Sequence, residues 1–445
     1  MNGGNIDARK GSESADDLVA LFLHAVKTNS LCTPLLVLAL FIAGCSGSSS
    51  PKLHSDAGEG GIVLLISLDG FLPDYLERFD TPNLDRLAAE GTRAESLIPA
   101  FPPKTFPNHY SIVTGLHPSN HGVVSNTMYD PEMDATFRIS DNDAVSDGRW
   151  WGGEPLWVTV QRQGGVAATF FWPGSEAEIG GVRPRYWKRY EHNFPNHQRI
   201  DTVLAWIDLP EEERPSFITL YFSDVDSQGH AHGPFAEETE RAVAHVDSLI
   251  GLMLDGLEAR DILDEIDLIV VSDHGMSEVS SDRVVILDDY VDIDDLHIVD
   301  RSPVLMARPT GVDARAIVEA LNESPQLDAY HRDDVPEHWH FKDHVRIPEV
   351  IAAAADGWTI MTRSQYERFG QELKGGAHGY DNLLPSMRGI FIARGPSFEA
   401  GQVVGPFGNV HLYNMMAAIL GVDAAPNDGS IDSVSHVFDL TQLQP

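Results

Sequence analysis

The sequence predicts an α/β domain with a largely parallel central sheet and helices on both faces. Three observations predict it. From about residue 61, short β-rich apolar runs alternate with segments of helical period. The apolar runs are continuous rather than alternating, as expected of strands buried on both faces. The chain has 445 residues, 42% of them hydrophobic, enough for a large core.

The elements follow in order. Ile62–Leu68 reads as the first buried strand. Residues 81–90 read as a helix: Thr81 can cap, Pro82 suits the first turn, and Gly91 follows the end. Further strands are expected at 166–171, Phe217–Phe222, 268–271 and 389–393. The best-defined helix covers 237–257, where Val243, Val246, Ile250, Met253 and Leu257 step by three and four. Residues from about 280 to 370 are charged and less regular, and read in part as a small cap or insertion. No internal repeat is visible.

Charge and cysteine content narrow the class. The formal net charge is −36, with 67 acidic against 31 basic residues. Such a surface repels polynucleotides. The only cysteines, Cys32 and Cys45, lie near the N-terminus, so the folded body has no disulfide and no thiolate metal site. Residues 35–42, LLVLALFI, are too few to span a bilayer and have the length of a signal-peptide core. The ending Ile42-Ala43-Gly44-Cys45 resembles a bacterial lipobox, with SGSSSP as a tether behind it. Residues 1–54 are therefore expected to be a leader and tether, and 55–445 one domain. A lipid on Cys45 would hold that domain to a membrane in the periplasm-facing bacterial envelope. The acidic stretch with Asp16 and Asp17 is foreign to such a leader, and a start near Val26-Lys27 would remove it.

Six side chains carry the chemistry. They are Asp69 in ISLDG, Asp226 and His230 in DSQGH, Asp273 and His274 in VVSDHGM, and His378 in GGAHG. Three Asp and three His without Cys suit two Zn²⁺ ions. Asp69, Asp226 and Asp273 each come at or shortly after a strand's carboxyl end, where open α/β sheets form their crevice. Thr105, exposed among prolines in FPPKTFPNHY, can serve as a nucleophile or as a plain helix N-cap. A hydroxyl beside two metals can cleave phosphate esters. Asp224 and His232 compete locally with Asp226 and His230. His331, His338, His340 and His344 lie outside these motifs and read as a surface feature.

Taken together, ISLDG, PPKTFPNHYSIVTGLHPSNHGVVSN, FFWPGSE, DSQGHAHGP, SDHGM and GGAHG resemble the nucleotide pyrophosphatase/phosphodiesterases of the alkaline phosphatase superfamily. The resemblance runs from Ile62 to the C-terminus. It implies an alkaline phosphatase-like fold and two zinc sites, one held by Asp226, His230 and His378, the other by Asp69, Asp273, His274 and Thr105. It implies that Asn126 holds a phosphate oxygen, that Phe106 and Tyr221 flank a nucleobase, and that Tyr190 adds a further pocket wall. Where the family has Pro-Thr-Tyr-Trp, this chain has Pro184-Arg185-Tyr186-Trp187; Arg185 alters the pocket rim or is simply exposed.

Charge counting refines the expected activity. Two Zn²⁺ are balanced by three carboxylates and a Thr105 alkoxide, so a phosphodiester monoanion suits the site better than a monoester dianion. The expectation is a phosphodiesterase or nucleotide pyrophosphatase working through a phosphothreonine on small nucleotide-type substrates. The alternatives are a phosphomonoesterase of the same superfamily and a nucleotide-binding protein without catalysis. A sulfatase is disfavoured because neither Cys nor Ser replaces Thr105.

Overall fold

Strand β1 (Ile62–Leu68) occupies the middle of the central sheet and alternates between two apolar cores. Val63 and Leu65 join the core on one face; Leu64, Ile66 and Leu68 join the other. The computed structural model describes residues 61–439. The leader, tether, Cys32 and Cys45 lie outside the described residues. None of the described helices is long and apolar enough to cross a membrane.

The central sheet contains β2 (Thr92–Ala94), β3 (Ala167–Phe170), β4 (Tyr186–Lys188), β5 (Phe217–Phe222) and β6 (Ile266–Val271) beside β1. Four strands of the 280–370 region, β7 (Leu296–Asp300), β8 (Val304–Pro309), β9 (Leu327–His331) and β10 (Val350–Ala354), form a separate sheet. β11 (Phe391–Arg394) and β12 (Gln402–Val404) complete the central one, in the order β12-β2-β11-β6-β1-β5-β3-β4. Only β11 runs antiparallel to its neighbours, so the sheet is mixed but mostly parallel. Strands β2, β4 and β12 were not legible in the sequence. Each has three residues, too few to show a period.

Helices cover both faces. On one lie α1 (Pro82–Ala89), α4 (Asn196–Ile207) and α6 (Glu237–Glu258); on the other lie α2 (Thr105–Thr114), α3 (Leu156–Arg162) and α8 (Leu412–Ile419). Helix α5 (Asp224–His232) follows β5 directly. In α6 the five expected apolar positions are all buried.

The region 280–370 is more regular than its charge suggested. β7 (Leu296–Asp300), β8 (Val304–Pro309), β9 (Leu327–His331) and β10 (Val350–Ala354) form an antiparallel sheet, order β7-β8-β10-β9. Leu305, Ala307 and Ala352 pack with Ile317 and Leu321 of α7 (Ala314–Leu321). Val304, Met306 and Ile351, on the opposite face, join the main core. β7 and β9 carry polar residues at their ends and β10 is apolar throughout, so no common period-two signal marks the four strands.

Thr81 stands at the N-cap of α1 but does not cap it; its hydroxyl turns to Asp85 Oδ1 at 3.4 Å. The cap comes from Asp247 of α6, which is 2% exposed. Its Oδ1 accepts from the backbone N–H of Asn83 at 3.1 Å and of Leu84 at 2.8 Å. Removing that carboxylate orphans two N–H donors near the helix start. Asp247→Ala should therefore cost about 2 kcal/mol in chemical denaturation, against about 0.5 kcal/mol or less for Thr81→Ala. Equal losses would show that Thr81 is the working cap.

Candidate active site

Three adjacent strands, β6, β1 and β5, deliver the three acids. Asp69 follows β1 directly, Asp273 lies two residues beyond β6, and Asp226 lies in the first turn of α5. Backbone bonds lock the ends together: Asp226 N–H donates to Asp69 O at 3.1 Å, and Asp69 N–H to Phe222 O at 2.9 Å. Gly70 has φ +70°, and a Cβ there would lie 3.0 Å from Asp226 Cα and Cβ. That turn requires glycine. On α5, Asp226 and His230 are one turn apart and share a face, with His230 Nε2 3.3 Å from Asp226 Oδ1. Asp224 turns elsewhere, accepting from Asn196 Nδ2 at 3.0 Å, and His232 is exposed beside Glu238.

The three imidazoles share one arrangement. Nδ1 of His230, His274 and His378 faces the backbone carbonyls of Gly376, Gly275 and Pro103, each at 2.9 Å. A carbonyl only accepts, so Nδ1 carries the proton and Nε2 presents a lone pair. Those lone pairs converge on carboxylates. His274 Nε2 is 3.0 Å from Asp273 Oδ2 and 3.4 Å from Asp69 Oδ1; His378 Nε2 is 3.7 Å from Asp226 Oδ1 and 3.1 Å from His230 Nε2. The His274 and His378 rings stack at 3.5 Å.

Asp69 Oδ1, Asp226 Oδ1 and Asp273 Oδ2 are buried and lack hydrogen-bond donors. Burial pushes all three carboxyls up, and for Asp69 and Asp273 their mutual proximity or that of Asp226 adds to the rise. Burial also pushes His274 and His378 well below the usual histidine range, leaving them neutral. Lone pairs facing lone pairs in a buried crevice repel unless positive charge lies among them. The donor set therefore fits divalent cations, and its O/N composition suits Zn²⁺. Donor atoms within 4.8 Å of one another group as Asp226, His274 and His378 and as Asp69, His109 and Asp273, so His274 falls with Asp226 and His378, and His230 stands outside both groups.

His109 went unnoticed in the sequence. It lies one turn after Thr105 on α2, an i, i+4 relation that was the available signal. Its Nδ1 donates to Thr105 O at 2.8 Å and lies 3.3 Å from Asp273 Oδ2; its Nε2 faces Ser67 Oγ at 2.8 Å. Burial lowers its pKa. With both nitrogens engaged, it ties the Thr105 backbone to Asp273 and Ser67.

Thr105 is the first residue of α2, after Lys104 at the N-cap position, so its hydroxyl is free of a capping role. Thr105 Oγ1 lies 3.3 Å from His274 Nε2. Asn126 Oδ1 accepts from Phe106 N–H at 3.0 Å, which orients the amide and leaves its NH₂ as a donor. Phe106 is half-buried against Phe137 and Trp151. Tyr221 is only 7% exposed, and its hydroxyl donates to Asp69 Oδ2 at 2.6 Å. Tyr190, 40% exposed, is the accessible ring, 6.1 Å from that of Tyr221. Arg185 is exposed over the Tyr186 ring. His338 pairs with Asp381, and His340 stacks on His117; none of the His331–His344 imidazoles joins the cluster.

The chain matches the family model described as type I phosphodiesterase / nucleotide pyrophosphatase over residues 63–381. It belongs to this family. The venom phosphodiesterase CdcPDE of Crotalus durissus collilineatus is 37% identical over 404 residues, covering 88% of this chain and 48% of that protein. Ectonucleotide pyrophosphatase/phosphodiesterase family member 3 of Bos taurus is 36% identical over 394 residues, covering 86% and 44%. The chain thus spans about half the length of the curated relatives it matches. Among solved family structures, murine ectonucleotide pyrophosphatase/phosphodiesterase 5 superposes with a TM-score of 0.80 at 31% identity, covering 86% of this chain and all of that one. That structure is an inactive threonine-to-alanine variant in complex with AMP. These relatives come from snakes and mammals; the bacterial expectation rests on the leader alone.

The raised carboxyl pKa values set a pH dependence. In metal-free protein, raised folded-state pKa values mean that stability from these acids is lost as pH rises through them. Bound cations need the acids ionised and the imidazoles neutral, so their contribution grows in the same direction. The melting-temperature gap between zinc-loaded and chelator-treated protein should therefore widen from pH 5 to pH 8. A gap independent of pH would sink the metal-cluster reading.

Proposed function

We propose that this chain is a two-zinc phosphodiesterase and nucleotide pyrophosphatase that cleaves nucleotide-type phosphodiester or pyrophosphate bonds through a phosphothreonine at Thr105. The observation that carries the reading is Thr105 Oγ1 at 3.3 Å from His274 Nε2, beside a cluster in which Asp69, Asp273, His274 and His378 are buried, Asp226 is partly buried and His230 is exposed at the edge. Zn²⁺ held by Asp226, His230 and His378, and by Asp69, Asp273, His274 and Thr105, would supply Lewis acidity that lowers the hydroxyl pKa and offsets charge on the leaving oxygen.

The chain's own groups do the rest. Thr105 Oγ1 attacks phosphorus in line as the bond to the leaving oxygen breaks. The Asn126 NH₂ donates to a non-bridging oxygen where charge develops, and the Phe106 N–H keeps that amide in place. Water then attacks phosphorus and releases Thr105. Phe106 and Tyr190 offer ring surface for a nucleobase, and Tyr221 forms the inner wall while holding Asp69. The AMP complex of the murine relative supports a nucleotide ligand, and the inactivity of its threonine-to-alanine variant supports a threonine nucleophile.

Thr105→Ala should lose most turnover yet bind metal, and Thr105→Ser should keep part of the activity. Wild-type rates in Thr105→Ala would mean direct attack by water. The kcat/KM for a nucleotide aryl diester should exceed that for an aryl monoester by at least about a hundredfold, or ~2.7 kcal/mol. Equal or greater efficiency on the monoester would make the protein a phosphatase.

The leader supports a lipid anchor on Cys45 in a periplasm-facing bacterial envelope, with small phosphodiesters rather than nucleic-acid polymers as substrates. Cys45→Ser should move the protein from the membrane to the soluble fraction on cell fractionation. A mature N-terminus at Met1 would refute the anchor.

A further inference from the structure

Lys104 is the one Lys or Arg between Arg93 and Arg138, and it immediately precedes Thr105. Its side chain is only 6% exposed, and its Nζ lies 2.6 Å from Asp300 Oδ2. Asp300 ends β7, about two hundred residues away in the second sheet. The same Oδ2 also accepts from the Ser125 hydroxyl, and Oδ1 accepts from the Arg301 backbone N–H at 2.8 Å. One carboxylate thus holds the residue before Thr105 and the residue before Asn126. Lys104 lies in the wall of the site: a Cβ on Gly379, next to His378, would lie 3.0 Å from Lys104 Cε.

We propose that Asp300 is a specificity-determining positioning residue: it neutralises Lys104 beside the nucleophile and so keeps the site from favouring dianionic phosphate monoesters. This rests on the reading of Thr105 as the nucleophile of a diesterase. A paired Lys104 adds almost no net field at the phosphoryl group, whereas an unpaired ammonium at short range stabilises a dianion more than a monoanion. Freeing either partner shifts the balance in opposite directions. Asp300→Asn keeps the size and an acceptor for Ser125 but unmasks Lys104. Lys104→Met removes the cation nearest the Asp300 carboxylate and leaves it only the more distant Arg301 guanidinium.

The test compares wild type, Asp300→Asn, Lys104→Met and the double variant. It measures kcat/KM on an aryl diester and an aryl monoester with the same leaving group, and the inhibition constant of inorganic phosphate. Asp300→Asn should lower the diester-to-monoester ratio at least tenfold and tighten phosphate inhibition. Lys104→Met should raise the ratio and weaken phosphate inhibition, and the double variant should return both near wild type. A purely structural role lowers both substrates together and leaves the ratio and phosphate inhibition unmoved; that result, or shifts of the same sign in both single variants, overturns the proposal. Either single variant suffices if the other does not fold. A wild-type preference for monoesters would refute the diesterase reading, while the opposed shifts would still decide the role of Asp300.

Discussion

The crowding of three carboxylates, each with one buried oxygen that lacks a donor, is the constraint on which the site depends. Asp69, Asp226 and Asp273 end in one crevice because β6, β1 and β5 lie side by side in the sheet. Each leaves one buried oxygen without a donor, facing imidazole lone pairs. In the protein alone the repulsion is relieved by proton uptake, as the raised carboxyl pKa values record; with the acids ionised the arrangement needs positive charge between the groups. The sheet, the backbone bond from Asp226 to Asp69, and the glycine turn at Gly70 hold the acids where they would not assemble by themselves.

Around that cluster, a set of polar contacts fixes orientation rather than composition. Backbone carbonyls fix the tautomers of His230, His274 and His378. Tyr221 occupies the second oxygen of Asp69, and His109 lies between Asp273 and the Thr105 carbonyl. Phe106 N–H fixes the Asn126 amide. Each of these groups is thus oriented by a neighbouring contact and not by its own residue alone. The second sheet takes part in this order: its inner face joins the main core, and Asp300 reaches Lys104, next to Thr105, from its edge.

The readable parts of the sequence were those with local signals. Strands β1 and β5 and helix α6 have enough residues to show burial or a period, and the structure places them within a residue of expectation. The six acid and imidazole residues were legible because each sits in a short motif beside a strand end or glycine turn. The three-residue edge strands and the regular second sheet were not, because segments that short are decided by their partners. Asp247 reads as one more acid on a helix, yet it caps a different helix 164 residues away.

The sequence by itself determined the α/β class, the kinds of donor side chain near the strand ends and the place of Thr105 at a helix start, since strand runs, glycine turns and donor chemistry are properties of a few consecutive residues. Tertiary structure alone decided which neighbours tune those groups. Tyr221 and Tyr190 look alike as aromatic residues upstream of Asp226, but one is buried with its hydroxyl on Asp69 and the other is exposed. Lys104 looks like a cation available to substrate until Asp300 is brought to 2.6 Å from it. Burial, pairing and charge balance depend on segments far apart in the chain, and only the folded sheet brings them within range of one another.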